Sequence, residues 1–315
     1  MSTTVTGPRP LRQPDSPPGP RRGSPSARRR RDNLQGWVLA APSAALIGVF
    51  FVLPFGLMLW MSFFHWPAFG LHTPAGLSNY RQTLSSAQFW HAVRFTVEYT
   101  LITSVVGIAL SLALALLVRP KFRGRTAVRA LLFAPVTIGF APAGLLWLSM
   151  TNARTGILPY LAQQVGLSGS TSDWYARPST TLAVVVAMTV WKTVGLAMLV
   201  LLMGMDSIPD EIYEAARLDG AGPARILVDV TLPLIRKPLS LVVLLTVSTT
   251  FLGFDQFYTM TKGGPDGSTL TVVYYLYKAA FLSFQRGYAA AVAVVVVAVM
   301  AGISVIQVRL QRGKV

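Results

Sequence analysis

Residues 207–237 read SIPDEIYEAARLDGAGPARILVDVTLPLIRK, a polar island between two long apolar runs. Ser207 is placed to cap a helix N-terminus, and Pro209 suits a first turn, where its missing N–H would be unpaired anyway. Asp210, Glu211 and Glu214 put negative charge near the positive end of the helix dipole. Ala215, Ala216, Arg217 and Leu218 are good helix formers, and Gly220 stands where a helix ends in a left-handed turn. Gly222 and Pro223 open a second short helix over 224–230, which Pro233 is expected to stop. The stretch predicts a helix–turn–helix hairpin with Ile208, Ile212, Ala215 and Ala216 near one face. Small residues there would let another protein approach the backbone closely.

The surroundings of this island define the fold class. The chain has 315 residues, is 52% hydrophobic and only 13% charged, and its mean hydropathy is +0.51. A soluble domain carries roughly 25% charged residues. A bilayer core about 30 Å thick is crossed by about 20 mostly apolar helical residues. Six runs qualify, at about 37–64, 95–118, 130–150, 180–203, 239–260 and 289–308. The reading is an all-α polytopic membrane protein with six transmembrane helices over 34–312. The first run is too long for the core of a cleaved signal peptide and is expected to remain as an anchor. Pro135, Pro142 and Gly195 are expected to interrupt spans three and four. The apolar stretch 269–284 is short for a crossing and reads as an interfacial or re-entrant helix on the outer face. Residues 1–33, rich in Pro, Arg, Gly and Ser, read as a disordered basic tail.

The net charge of +16 suggests nucleic acid until its distribution is followed. Arg9, Arg12, Arg21, Arg22 and Arg28 to Arg31 precede the first run. Arg119, Lys121, Arg123, Arg125 and Arg129 follow the second. The island holds Arg217, Arg225, Arg236 and Lys237, and the C-terminus Arg309, Arg312 and Lys314. The alternate loops are poorer in basic residues. Basic residues are retained on the cytoplasmic side, so both termini and the island are expected in the cytoplasm, and no nucleic-acid partner is implied. The chain has no cysteine, which excludes disulfides and thiolate metal sites. His65, His72 and His91 match no compact metal spacing, and no nucleophile–base pair stands out, so the chain does not read as an enzyme.

Candidate site residues fall in two groups. Lys192 lies near the middle of span four, where an ionisable group usually faces the bundle interior or a cavity. It is placed either to hydrogen-bond a solute or to satisfy a structural partner: Glu98, Asp255 or a carbonyl. Trp191 and Gly195 flank it, and Asp255, Gln256 and Tyr258 bring polar and aromatic groups to the end of span five. The second group is the island itself.

Ile208-Pro209, Glu214-Ala215-Ala216, Asp219-Gly220-Ala221 and Thr231-Leu232-Pro233 together resemble the cytoplasmic signature of bacterial ABC-importer permeases. Trp191, Gly195, Phe254-Asp255, Thr261, Gly263-Gly264-Pro265, Thr269, Tyr277, Ala280-Phe281 and Gly287 are similar to the carbohydrate-uptake branch. The pattern is that of the first permease in maltose- and glycerol-3-phosphate-type systems, and it spans roughly 35–312. The resemblance implies a cell-membrane permease half that translocates a sugar or related polyol or oligosaccharide. It also implies a homologous second permease, two copies of a cytoplasmic ATPase and an extracytoplasmic solute-binding protein as partners. The coupling contact would fall on Glu214, Ala215, Ala216, Asp219, Gly220 and Ala221, with Asp219 capping the turn. The sequence lacks a G-x-x-x-x-G-K-[ST] phosphate loop, so no cofactor is expected here, and ATP and magnesium belong to the partner ATPase. An ion-coupled secondary transporter and a membrane scaffold or sensor are the alternatives that residue chemistry leaves open.

Overall fold

The computed structural model describes residues 39–312 except 68, 121 and 165–173. The basic segment 1–33 lies outside the described residues. The chain divides into two compact units at Gly56. In the first, residues 39–56 are helical, with a π turn at Gly48–Val52, and begin the apolar helix α1, Leu39–Met61.

The second unit starts with a two-stranded antiparallel ribbon, β1 (Phe64–His65) and β2 (Thr73–Pro74), and a short helix α2 (Ser78–Ser85). Next come α3 (Ala87–Val118), α4 (Arg125–Phe133), α5 (Phe140–Met150), α6 (Ile157–Gln164) and α7 (Pro178–Asp206). The hairpin helices α8 (Asp210–Leu218) and α9 (Pro223–Leu234) lead into α10 (Arg236–Phe251). The chain finishes with α11 (Val272–Leu282) and α12 (Arg286–Arg312). The fold is all-α apart from the small ribbon.

Among the described residues four helices, α1, α3, α7 and α12, are long and apolar enough to cross a membrane. The count reaches the expected six if each of two bent pairs is one span. The third is a bent pair, with α5 turning 102° from α4 and the 3₁₀ turn Ala134–Thr137 that extends it. Pro135 lies in that 3₁₀ turn, where it cannot donate to the helical ladder. Pro142 sits in the first turn of α5 and interrupts nothing. The fifth is also bent: α9 and α10 meet at 77° around Ile235. Helix α10 ends at Phe251, well short of the predicted 260, and after a break the chain makes a π turn at Phe257–Thr261. Gly195 does not interrupt α7, which runs unbroken. Helix α11 is about 16 Å long at 1.5 Å per residue, too short to cross.

Helices α3 and α7 pack along one another and carry the core. Ser86 caps α3 by accepting from the Phe89 amide at 3.2 Å. The buried face of α3 is unusually polar and small, with Thr96, Thr103, Gly107 and Ser111. Small faces let membrane helices approach closely. Three apolar clusters follow one another along this pair: around Phe89 and Val292, around Phe95 and Phe257, and around Leu201, Met205 and Ile235.

The tightest approach is at Gly195. A Cβ there would lie 2.2 Å from the Leu132 carbonyl oxygen and 2.8 Å from the Phe133 Cα, both backbone atoms of α4 that no rotamer change can move. Gly195→Ala should lower the thermal unfolding midpoint of the detergent-purified complex, with a cost of about 1–3 kcal/mol for overpacking. Gly302→Ala, where nothing lies within 4 Å, serves as the neutral comparison.

Candidate coupling and translocation site

The hairpin is built on a single buried anchor. Tyr213 of α8 is 4% exposed and packs with Ile208, Met205 and Ile235. The Arg119 guanidinium lies 4.1 Å from its ring centroid, and Thr231 donates to its hydroxyl at 3.5 Å. Tyr213 is the one aromatic residue of the stretch, which was the available sequence signal, and the expected face of Ile208, Ile212, Ala215 and Ala216 is corrected accordingly. Ile208 is buried, Ile212 and Ala215 are exposed, and Ala216 is half-buried. Outward from the anchor stand Ile212, Glu214, Ala215 and Leu218, the last 89% exposed. Glu214 joins none of the ion pairs among the described residues.

The ends of α8 also differ from expectation. Ser207 does not cap it; its hydroxyl donates back to Gly204 O at 2.8 Å, because Pro209 occupies the cap position. The Asp219 side chain makes no cap either. The backbone does that work: Ala221 N donates to Ala216 O and Gly220 N to Arg217 O, each at 3.0 Å. Those two bonds form a Schellman stop, which requires the left-handed residue that Gly220 provides at φ +78°. The second helix passes through Pro233 by way of a π turn at Ile226–Thr231, and the chain bends only at Ile235. Arg225 and Asp229 pair at 3.3 Å along its exposed side.

Above the hairpin, α7 braces two broken helices. At the α4–α5 break, Lys192 donates to Val136 O at 3.4 Å and to Ile138 O, and its ammonium lies 4.5 Å from the centroid of the Phe140 ring. Of the partners weighed for Lys192, the structure selects the carbonyl: Glu98 and Asp255 are exposed and not joined to it. One turn earlier on α7, Thr189 shares a 2.8 Å hydrogen bond with the Tyr99 hydroxyl, and Gln256 donates to that hydroxyl at 3.0 Å. All three are buried, and they hold the segment after the break in α10. Thr271 donates to Gly253 O at 3.2 Å, so the freed carbonyl at that break also has a partner. Each unsatisfied backbone group in hydrocarbon costs several kcal/mol.

The remaining candidates do not converge on one point. Trp191 packs its ring 5.9 Å from Trp147. Asp255 and Tyr258 face outward, with Tyr258 stacked on Phe254 at 5.4 Å and edge-on to Tyr277 at 5.5 Å. Between α7 and α10 runs a narrow groove whose polar groups are all threonines: Thr193, Thr246, Thr249 and Thr250. At the opposite end from the hairpin, α3 and the start of α7 border a cleft of about 360 Å³ with His91, Arg94, Glu98, Ser179 and Ser268 on its walls. Nearby, Tyr175 shares a 2.8 Å hydrogen bond with Thr151, tying the end of α5 to the approach to α7. Burial pushes the Tyr175 hydroxyl above its ordinary value.

Comparison with known proteins follows the same features. A family model described as the binding-protein-dependent transport system inner membrane component matches residues 107–314, which include the hairpin and both broken helices. The probable ABC transporter permease protein YurN of Bacillus subtilis (strain 168) is 32% identical over 269 residues, 84% of this chain and 92% of that protein. The sn-glycerol-3-phosphate transport system permease protein UgpA of Brucella suis biovar 1 (strain 1330) is 32% identical over 277 residues, 87% and 93%. The sulfoquinovosyl glycerol transport system permease protein SmoG of Agrobacterium fabrum is 31% identical over 287 residues, 90% and 92%. Among solved structures, a bacterial ABC transporter that imports the acidic polysaccharide alginate has a chain with a TM-score of 0.77. That chain is 20% identical, and the match covers 91% of this chain and 99% of that one, a likeness of fold. The chain therefore belongs to the family of binding-protein-dependent transport system inner membrane components, and is a membrane-embedded permease subunit of an ABC importer.

Proposed function

We propose that this subunit is one half of a sugar importer's translocation pathway and that its hairpin is the handle by which an ATPase moves it. A homologous permease completes the pathway, two copies of a cytoplasmic ATPase bind ATP and magnesium, and an extracytoplasmic binding protein delivers the solute. Both chain termini lie in the cytoplasm, in keeping with the clustering of basic residues at the inner loops and ends. The observation that carries the coupling role is the construction of α8. It is stopped rigidly at Gly220 and anchored from beneath by Tyr213, yet it presents Glu214, Ile212 and Leu218 outward, and Glu214 joins none of the ion pairs among the described residues. An exposed acidic and apolar face on a stiff, anchored helix suits a protein groove better than water.

The cargo is a sugar or a related polyol or oligosaccharide. UgpA and SmoG are named for glycerol-based solutes, and the alginate transporter for a polysaccharide. The threonine groove between α7 and α10 suits such cargo, since hydroxyls can donate to and accept from solute hydroxyls without placing a charge in the pathway.

Four substitutions test this reading. Leu218→Asp and Glu214→Arg, both at exposed positions, should leave membrane insertion intact while reducing the ATPase recovered with the tagged permease and abolishing uptake. Wild-type uptake by both would overturn the coupling role. Gly220→Val should destabilise the hairpin by about 1–2 kcal/mol through its positive φ, seen as faster proteolysis at residues 219–223. Thr249→Val should raise the KM for uptake with ATPase association unchanged; an unaltered KM would remove the groove from the pathway.

A further inference from the structure

We propose that the Lys192 ammonium acts as a tethered cation: it fills a carbonyl-lined site at the α4–α5 break and locks that bend to α7, so that α7 and the bend move together during transport. This rests on the importer reading above.

The site has the donor set of a monovalent-cation site. Two backbone carbonyls, Val136 O and Ile138 O, point at the ammonium, and the face of Phe140 closes a third side. Neither carbonyl accepts a backbone amide across the break. Ile138 is extended at φ −82°, ψ 137°, ahead of the helix that starts at Phe140, and Pro142 four residues on has no N–H to give. Unwound carbonyl ends within a membrane attract cations, and a bare sodium or potassium ion is one way to satisfy them. Here the cation is supplied by the chain. Lys192 is 6% exposed and none of the ion pairs among the described residues includes it, so its charge is balanced by dipoles and an aromatic face rather than by a carboxylate.

The tether has a mechanical consequence that a free ion would lack. Lys192 belongs to α7, which continues without a break to Asp206 and then directly to the hairpin. Displacement of the hairpin is thus carried up α7 to Lys192 and from there to the bend. Gly195 lets α7 lie against Leu132 and Phe133 on the same face, so the ammonium reaches the break without spanning a gap. Lys192 is a positioning residue in this scheme; it acts through the bend and need not touch the solute.

The test uses the whole importer in proteoliposomes with its binding protein and ATP inside. Lys192→Arg should keep uptake, because a guanidinium also donates to carbonyls. Lys192→Met, of similar length but uncharged, should assemble with the ATPase and keep basal ATP hydrolysis, while uptake per ATP falls about tenfold, the scale expected for a residue on a coupling path. Lys192→Ala should regain uptake when n-propylammonium is added, and not with tetramethylammonium at the same ionic strength, since the latter cannot donate a hydrogen bond. The wild-type complex separates the two levels of inference: if it shows no ATP-dependent uptake the importer reading fails, and if it does, the variants judge the tether alone. Wild-type uptake per ATP in Lys192→Met overturns the proposal. So does an assembled Lys192→Ala complex that propylammonium leaves inactive. If Lys192→Met does not accumulate, amine rescue of Lys192→Ala decides alone.

Discussion

A carbonyl released from a helix inside a bilayer has no water to accept from, and the described residues include such interruptions between α4 and α5 and after α10. The first is repaired from α7 by Lys192; at the second Thr271 donates to Gly253 O, while Thr189 of α7, through Tyr99 and Gln256, holds the segment that follows. An ammonium at mid-membrane costs about 2.5–3.5 kcal/mol on insertion scales. Two freed carbonyls left unpaired would cost several kcal/mol each, so the charge is the smaller penalty. The straight, deeply buried course of α7 follows from this duty, as does the glycine at 195 that admits the α4 backbone.

The same helix is fastened a second time at its C-terminal end. Asp206 meets Arg125 at 3.3 Å and Arg129 at 3.8 Å, both from α4. The carboxylate is nearly half exposed there, so the pairs contribute modestly, up to about 1 kcal/mol each. Their value lies in position: Lys192 and Asp206 are about 21 Å apart along α7, and two attachments at that separation restrain rotation of α4 against it. Tyr213 then seats the hairpin directly beneath, and the Schellman stop at Gly220 keeps α8 short and stiff. Only the short turn 207–209 separates α8 from α7.

Much of this was legible in residue order. The oily runs and the 207–237 island specified an all-α membrane chain interrupted by a polar helical hairpin, because burial of apolar side chains and helix preference depend on local composition. Gly220 was readable as a left-handed stop for the same local reason. Pro135 and Pro142 announced trouble in the third span, but not that one would end the helix and the other begin the next at 102°. Ser207 and Asp219 have the right chemistry for caps, yet Pro209 took one position and backbone amides satisfied the other. Tyr213 stands out only as the one aromatic residue of the island, a signal that does not say which helices it packs between.

The sequence by itself determined which segments enter the membrane, on which side the island is expected, and that a lysine must be sheltered near mid-bilayer, since each of these depends on transfer free energies of side chains close together in the chain. Only the tertiary structure decided what shelters that lysine and which face of the hairpin is free. Val136 and Ile138 lie more than fifty residues from Lys192, and Ile235 lies on the far side of the hairpin from Tyr213. Pairings of that kind depend on how helices cross, a property of the packed assembly that no local preference encodes.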